Sequence, residues 1–239
     1  MIRSHTESSQ PGRNPRLTGL VTTARVAFFA TLIASLGGCV TSTVQEVRQA
    51  STGMTEGDSI VILGRRDRPS NDETELDFID CVSANLGKGG TAVNVINEQA
   101  FRDAVFPWFE PRTAPANTSD LPELMATPVV SQRLQEIGLR YLVWIDGSTV
   151  RTDSGGSMTC SVTTAGAGCF GFLTWENDSS YEASIWDLRS GNTVGRVSSD
   201  AIGTSYMPAI VVPLPFIARV QNSACTSLAG QLKSFITNG

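Results

Sequence analysis

Histidine is almost missing from this 239-residue sequence: the single one, His5, lies in an N-terminal stretch that reads as a removable leader. Beyond residue 38 that absence excludes Ser-His-Asp and Cys-His catalysis, together with the commonest transition-metal ligand. Lysine is nearly as scarce, since only Lys88 and Lys233 follow the leader and neither lies in a recognisable serine motif. Carboxylate-pair chemistry stays open. No C-x-x-C spacing occurs, which argues against metal-binding or reactive thiols. No Asp-x-Asp-x-Asp-Gly loop is present for calcium. The apolar run of the leader has eleven residues, Val26 to Leu36, whereas a helix crossing a membrane needs about 20. The leader holds four of the 18 basic and one of the 23 acidic residues, leaving 14 against 22 and a net charge of −8. A chain so acidic, without a basic patch, is not a nucleic-acid partner. No cofactor or metal is expected.

What is present begins with the leader. Arg3, Arg13, Arg16 and Arg25 precede the apolar run, the layout of an export signal. Leu36-Gly37-Gly38-Cys39 follows. This resembles the lipobox of bacterial lipoproteins: an aliphatic residue, two small residues and a cysteine. The resemblance implies removal of residues 1–38, acylation of Cys39 and a lipid anchor on the periplasmic side of the envelope. Val40 after the cysteine implies the outer membrane. The stretch before Arg25 is long for such a signal, and a translation start at Val21 would make it compact.

Four cysteines remain after Cys39, an even number in an oxidising compartment. Of the three possible pairings, Cys160 with Cys169 across a Gly-rich loop and Cys81 with Cys225 joining the first and last helices are the expected ones.

Residues 39–57 are polar and without sustained periodicity, which predicts a lipidated flexible tether reaching roughly 23 Å. Residues 58–239 read as one domain. Ser59 to Leu63 is a short apolar run ended by Gly64, the form of a buried strand. Ser70 to Glu73 offers a capping box for a helix carrying Leu76, Ile79, Val82 and Leu86. A strand over Thr91–Ile96 and a helix capped by Asn97 come next, then a proline-rich connection. Pro128 starts another helix, and Arg140 to Ile145 is a strand by its aromatic and β-branched content. Strands over Cys169–Trp175, Ser180–Leu188 and Asn192–Asp200 precede a last helix striped by Phe216, Val220, Ala224, Leu228, Leu232 and Phe235. The order is β-α-β-α-α-β-β-β-β-α, an α/β (α+β) domain with helices packed on one mixed sheet.

This order, with its Arg140-Tyr-Leu-Val-Trp-Ile145 strand and Trp186-Asp-Leu-Arg-Ser-Gly191 hairpin, resembles the TolB N-terminal-like domain of envelope lipoproteins. The likeness is topological, and it implies binding and assembly rather than catalysis.

Three further stretches carry candidate sites. Leu86 to Thr91 holds a Gly-Lys-Gly-Gly sequence, but a phosphate loop needs a strand before it and a helix after it, and here the order is reversed. It reads as a turn. Phe106, Trp108 and Phe109 crowd a proline and either plug the core or form a partner-binding patch. Gly155 to Gly168, free of charge and bulk, reads as a disulfide-pinned loop; the alternative is a hairpin inserting into the outer membrane in an oligomer, as in curli-type secretion channels. Asp146, Asp153, Asp178 and Asp187 fall near strand ends and read as solvated.

The resulting expectation is an envelope lipoprotein, held to its membrane by the lipid, that binds another envelope component without catalysis. A small-molecule or glycan binder, with a pocket lined by tryptophans, and a carboxylate-based hydrolase are the competing readings.

Overall fold

Apolar residues at alternate positions, interrupted by helical stretches with one apolar face, require a sheet covered on both sides, and the protein builds one. The computed structural model describes residues 40–55, 57–65, 74–89, 93–110, 112–115, 118–164 and 166–238. The leader, Cys39, the capping box at residues 70–73 and Thr91 lie outside the described residues. The strands are β1 (Val40–Arg48), β2 (Ser59–Gly64), β3 (Val95–Ile96), β4 (Leu139–Thr163), β5 (Gly166–Asp187) and β6 (Asn192–Pro213). The helices are α1 (Leu76–Leu86), α2 (Glu98–Ala104), α3 (Leu121–Met125), α4 (Pro128–Glu136) and α5 (Val220–Thr237).

The strands form one mixed sheet in the order β1-β6-β5-β4-β2-β3. β2 runs parallel to β3 and β4, and the remaining pairs are antiparallel. This is the α/β single domain with a mixed sheet that the pattern predicts. One face is covered by α1 and α5, where Ile60, Ile62, Tyr141, Val143 and Ile185 meet Phe78, Val82, Leu228 and Phe235. The opposite face, with Val61, Leu63, Leu142, Trp144 and Trp186, is covered by Phe101, Leu121, Val130 and Leu134 of α2 to α4. The alternation of odd and even positions along β4 divides the two cores. Each large side chain buried in them contributes about 1.5–3 kcal/mol.

Both expected disulfides are present. Cys81 of α1 joins Cys225 of α5 over a separation of 144 residues, locking the two helices of one layer. Cys160 joins Cys169, but these are register partners on β4 and β5 rather than the ends of a loop.

Four expectations are corrected. The stretch after Cys39 is not a flexible tether over its first half: Val40–Arg48 is an edge strand paired residue by residue with β6. Its alternate side chains face α5, where Ser42 Oγ donates to Ser227 Oγ at 2.9 Å and the Arg48 guanidinium lies 3.9 Å above the Phe235 ring. Gly155–Gly168 is not a loop, because all its described residues but Thr164 belong to β4 and β5. The two strands expected over Cys169–Leu188 are one, and β6 runs on to Pro213 instead of ending at Asp200.

Candidate functional site

The lengths of β4, β5 and β6 set the geometry of the site. β2 pairs with β4 only as far as Ile145, whereas β4 continues to Thr163. At about 3.3 Å per residue, the three antiparallel strands project as a blade well beyond the helices. Its outer edge is β4, and among the described residues no strand lies beside β4 past Ile145. The opposite edge is partly covered, since Tyr206 and Phe216 exchange both backbone hydrogen bonds, at 2.9 and 2.7 Å.

The root of the blade is clamped by polar contacts. Glu75, the residue before α1, accepts from the Thr149 N–H at 2.9 Å and from the Tyr181 hydroxyl at 2.8 Å. Thr149 Oγ1 lies 2.7 Å from Ser179 Oγ and 2.8 Å from the Tyr181 oxygen. The Tyr181 ring stacks on Phe78 with centroids 3.5 Å apart. Burial drives the Tyr181 phenol well above its ordinary value, and the Glu75 carboxylate adds to this against hydrogen bonds from Thr149 and Gln221.

Above this root, charge disappears. From Ser154 to Trp175 and again from Gly203 to Ala218 the sequence contains no acidic or basic residue. Close strand packing there uses glycine: Gly156 and Gly171 sit at φ of 91° and 147°. A Cβ on either would meet a backbone carbonyl oxygen at 2.1 or 2.3 Å. On one face Phe170 pairs in register with Ile210, and Thr174 with Tyr206. Phe172 lies between them, its ring 6.0 Å from that of Tyr206. Phe170 is 74% exposed and Ile210 78%, an apolar patch that nothing in the described chain covers.

The three aromatics that read as either a core plug or a partner-binding patch do not come together. Phe106 is exposed, Trp108 packs at the edge of the second core and Phe109 is buried. Phe109 meets Phe101 edge-on at 4.9 Å, and its carbonyl accepts from Arg102 at 2.6 Å. Phe109 is therefore a core plug and the three aromatics make no common patch. Trp144 and Trp186 are sheet packing, buried in the second core; Trp175 stands half-buried on the blade with Arg151 5.6 Å from its ring.

Of the aspartates, Asp187 is buried and not solvated, held by Arg140 at 2.9 Å, and it caps the following turn through Arg189 N–H. Asp146 pairs with Arg65 at 3.0 Å. Among the described residues no group of three His, Cys, Asp or Glu is placed to hold a metal. One pocket of about 380 Å³ opens among Asp58, Met125, Leu134, Leu139, Leu188 and Arg189. Its carboxylate is already paired: Asp58 accepts from Arg189 and from the Thr55 N–H and hydroxyl, each at 2.8 Å. Burial alone would raise the Asp58 carboxyl, but these contacts outweigh it and hold it below 3.8. No tryptophan lines this pocket, in contrast to what the ligand-binding reading requires.

Among the described residues, no helix is long and apolar enough to cross a membrane. No family model matches the chain, and no curated protein matches it. Two solved PelC dodecamers from Paraburkholderia phytofirmans, one of them a single-residue variant, align at 16% and 14% identity. They cover 82% of this chain and 99% and 98% of their own, each with a TM-score of 0.37. A likeness of that degree assigns neither fold nor function to this chain.

Proposed function

We propose that this protein is an envelope lipoprotein, acylated at Cys39 and facing the periplasm from the outer membrane, whose domain is a non-catalytic binding and assembly module. The observation that carries the reading is the blade: a long sheet extension, rigid at its root, open along one edge and apolar on one face. An open edge is a template for strand addition, and an exposed apolar patch marks a contact surface. The chemistry for catalysis is thin, since the sequence after residue 38 holds no histidine and only two lysines. Disulfides joining Cys81 to Cys225 and Cys160 to Cys169 fit an oxidising compartment.

Fractionation of cells making the wild-type chain or a Cys39→Ser variant tests the anchor. The wild type belongs with outer membranes, and a large part of the variant should be released into the soluble periplasm; a variant that stays on membranes to the same extent as the wild type contradicts lipidation as the anchor. Photo-crosslinking from position 150 on the open edge near the root, compared with position 226 on α5, tests the module. A defined envelope-protein adduct from 150 alone is the expected result, and adducts from neither position contradict it.

A further inference from the structure

We propose that the tip of the blade rests in the lipid of the membrane leaflet that holds the acylated Cys39, with Phe170, Phe172 and Ile210 touching acyl chains. The inference deepens the lipoprotein reading and rests on it for the anchor.

Two independent features converge on one end of the molecule. The first is where the anchored chain enters the fold. β1 runs antiparallel to β6, and its register carries Arg48 against Gly195 and Val40 against Gly203. The N-terminal end of β1 therefore lies where the charge-free part of β6 begins. Cys39 is the next residue in sequence before Val40, and one peptide unit spans only about 3.8 Å. Because β1 is a paired strand and not a loose tether, Val40, one residue from the anchor in sequence, stands at the base of the tip.

The second feature is chemical. Twenty-two consecutive residues on the hairpin (154–175) and thirteen on β6 (201–213) are without charge, and the boundary is set by Asp153, Glu176 and Asp200. Carboxylates do not enter hydrocarbon, whereas Phe170, Phe172, Tyr206 and Ile210 share one face beyond that boundary. Tyr206 stands nearest the charged root, at the level where an amphipathic ring meets headgroups. A water-soluble acidic or basic partner would find no complementary charge on this face. Depth is limited by the backbone: the unpaired outer edge of β4 needs water, so the blade lies on its apolar face, roughly 5–10 Å into the headgroup and acyl boundary, rather than crossing the bilayer tip first.

A single dye decides the matter, because the other four cysteines are paired. Lipidated protein carrying Ile210→Cys or Gln132→Cys, labelled with a polarity-sensitive fluorophore, is reconstituted into phosphatidylethanolamine and phosphatidylglycerol vesicles. The dye at 210 should shift to the blue and lose emission to brominated acyl chains, while the dye at 132 on α4 should do neither. In parallel, Cys39→Ser protein should sediment with the same vesicles, and a Phe170→Asp, Ile210→Asp double variant of unchanged melting temperature should lose about tenfold or more of that partitioning. Mass spectrometry finding Cys39 unacylated would end the lipoprotein reading alone, since the vesicle sedimentation still judges the tip. A dye at 210 that reports water in both preparations overturns the proposal. So does one shielded equally without vesicles, which would mean that another copy covers the tip.

Discussion

Glu75 holds Thr149 and Tyr181 at once, taking the backbone N–H of the first at 2.9 Å and the hydroxyl of the second at 2.8 Å. One carboxylate thereby fixes β4 and β5 where they leave the body. Replacing Glu75 by Ala should cost about 1–3 kcal/mol, the penalty for leaving half-buried donors without an acceptor. Urea denaturation measures it, and a change below a few tenths of a kcal/mol would mean that the clamp contributes little.

The Tyr181 phenol gives this clamp an alkaline signature. Its pKa in the fold is raised above the ordinary 10.0, first by burial. Folding therefore favours the protonated ring: the stabilisation is complete below pH 10 and is lost as pH climbs through the raised value. Unfolding free energy followed from about pH 9 to 12 should fall, and Tyr181→Phe should flatten that limb.

Asp58 acts at the other end of the scale. Its carboxyl is held below 3.8 by Thr55 and Arg189, so its contribution is present above that pH and is lost as pH falls through the depressed value. Asp58→Asn should lower stability at neutral pH and weaken the dependence on acid, as measured by thermal melts on either side of pH 4.

The two disulfides should differ in weight. In the chain-entropy model a closed loop of 144 residues contributes about 5 kcal/mol and one of 9 about 2.5 kcal/mol. Removing Cys81 and Cys225 together should lower the denaturation midpoint more than removing Cys160 and Cys169, and the second change should loosen the blade while leaving α1 and α5 in place. Hydrogen exchange resolved along β4 and β5 separates the two effects.

The layers were legible from residue pattern, and the blade was not. Ile60, Ile62, Val143 and Leu228 announce buried faces because alternation and helical spacing depend on burial alone. β1 escapes such reading: Val40-Thr-Ser-Thr-Val-Gln-Glu-Val-Arg48 faces water on one side, and its pairing with β6 is a long-range contact with little local signal. The distal hairpin escapes for a related reason, since Gly155, Gly156, Gly166 and Gly168 lower strand propensity while cross-strand pairing imposes the strand. Phe109 joined the core and Phe106 did not, a division that spacing alone does not encode. The useful signal for the blade lies in the absence of charge over Ser154–Trp175 and over Gly203–Ala218, stretches longer than the glycine-rich segment Gly155–Gly168 alone.

The mass of the native protein extracted from membranes tests the central claim most directly. The expected result is a chain beginning at an acylated Cys39, with the four remaining cysteines oxidised and no further mass shift on reduction beyond four hydrogens. An unmodified chain that begins elsewhere would contradict it.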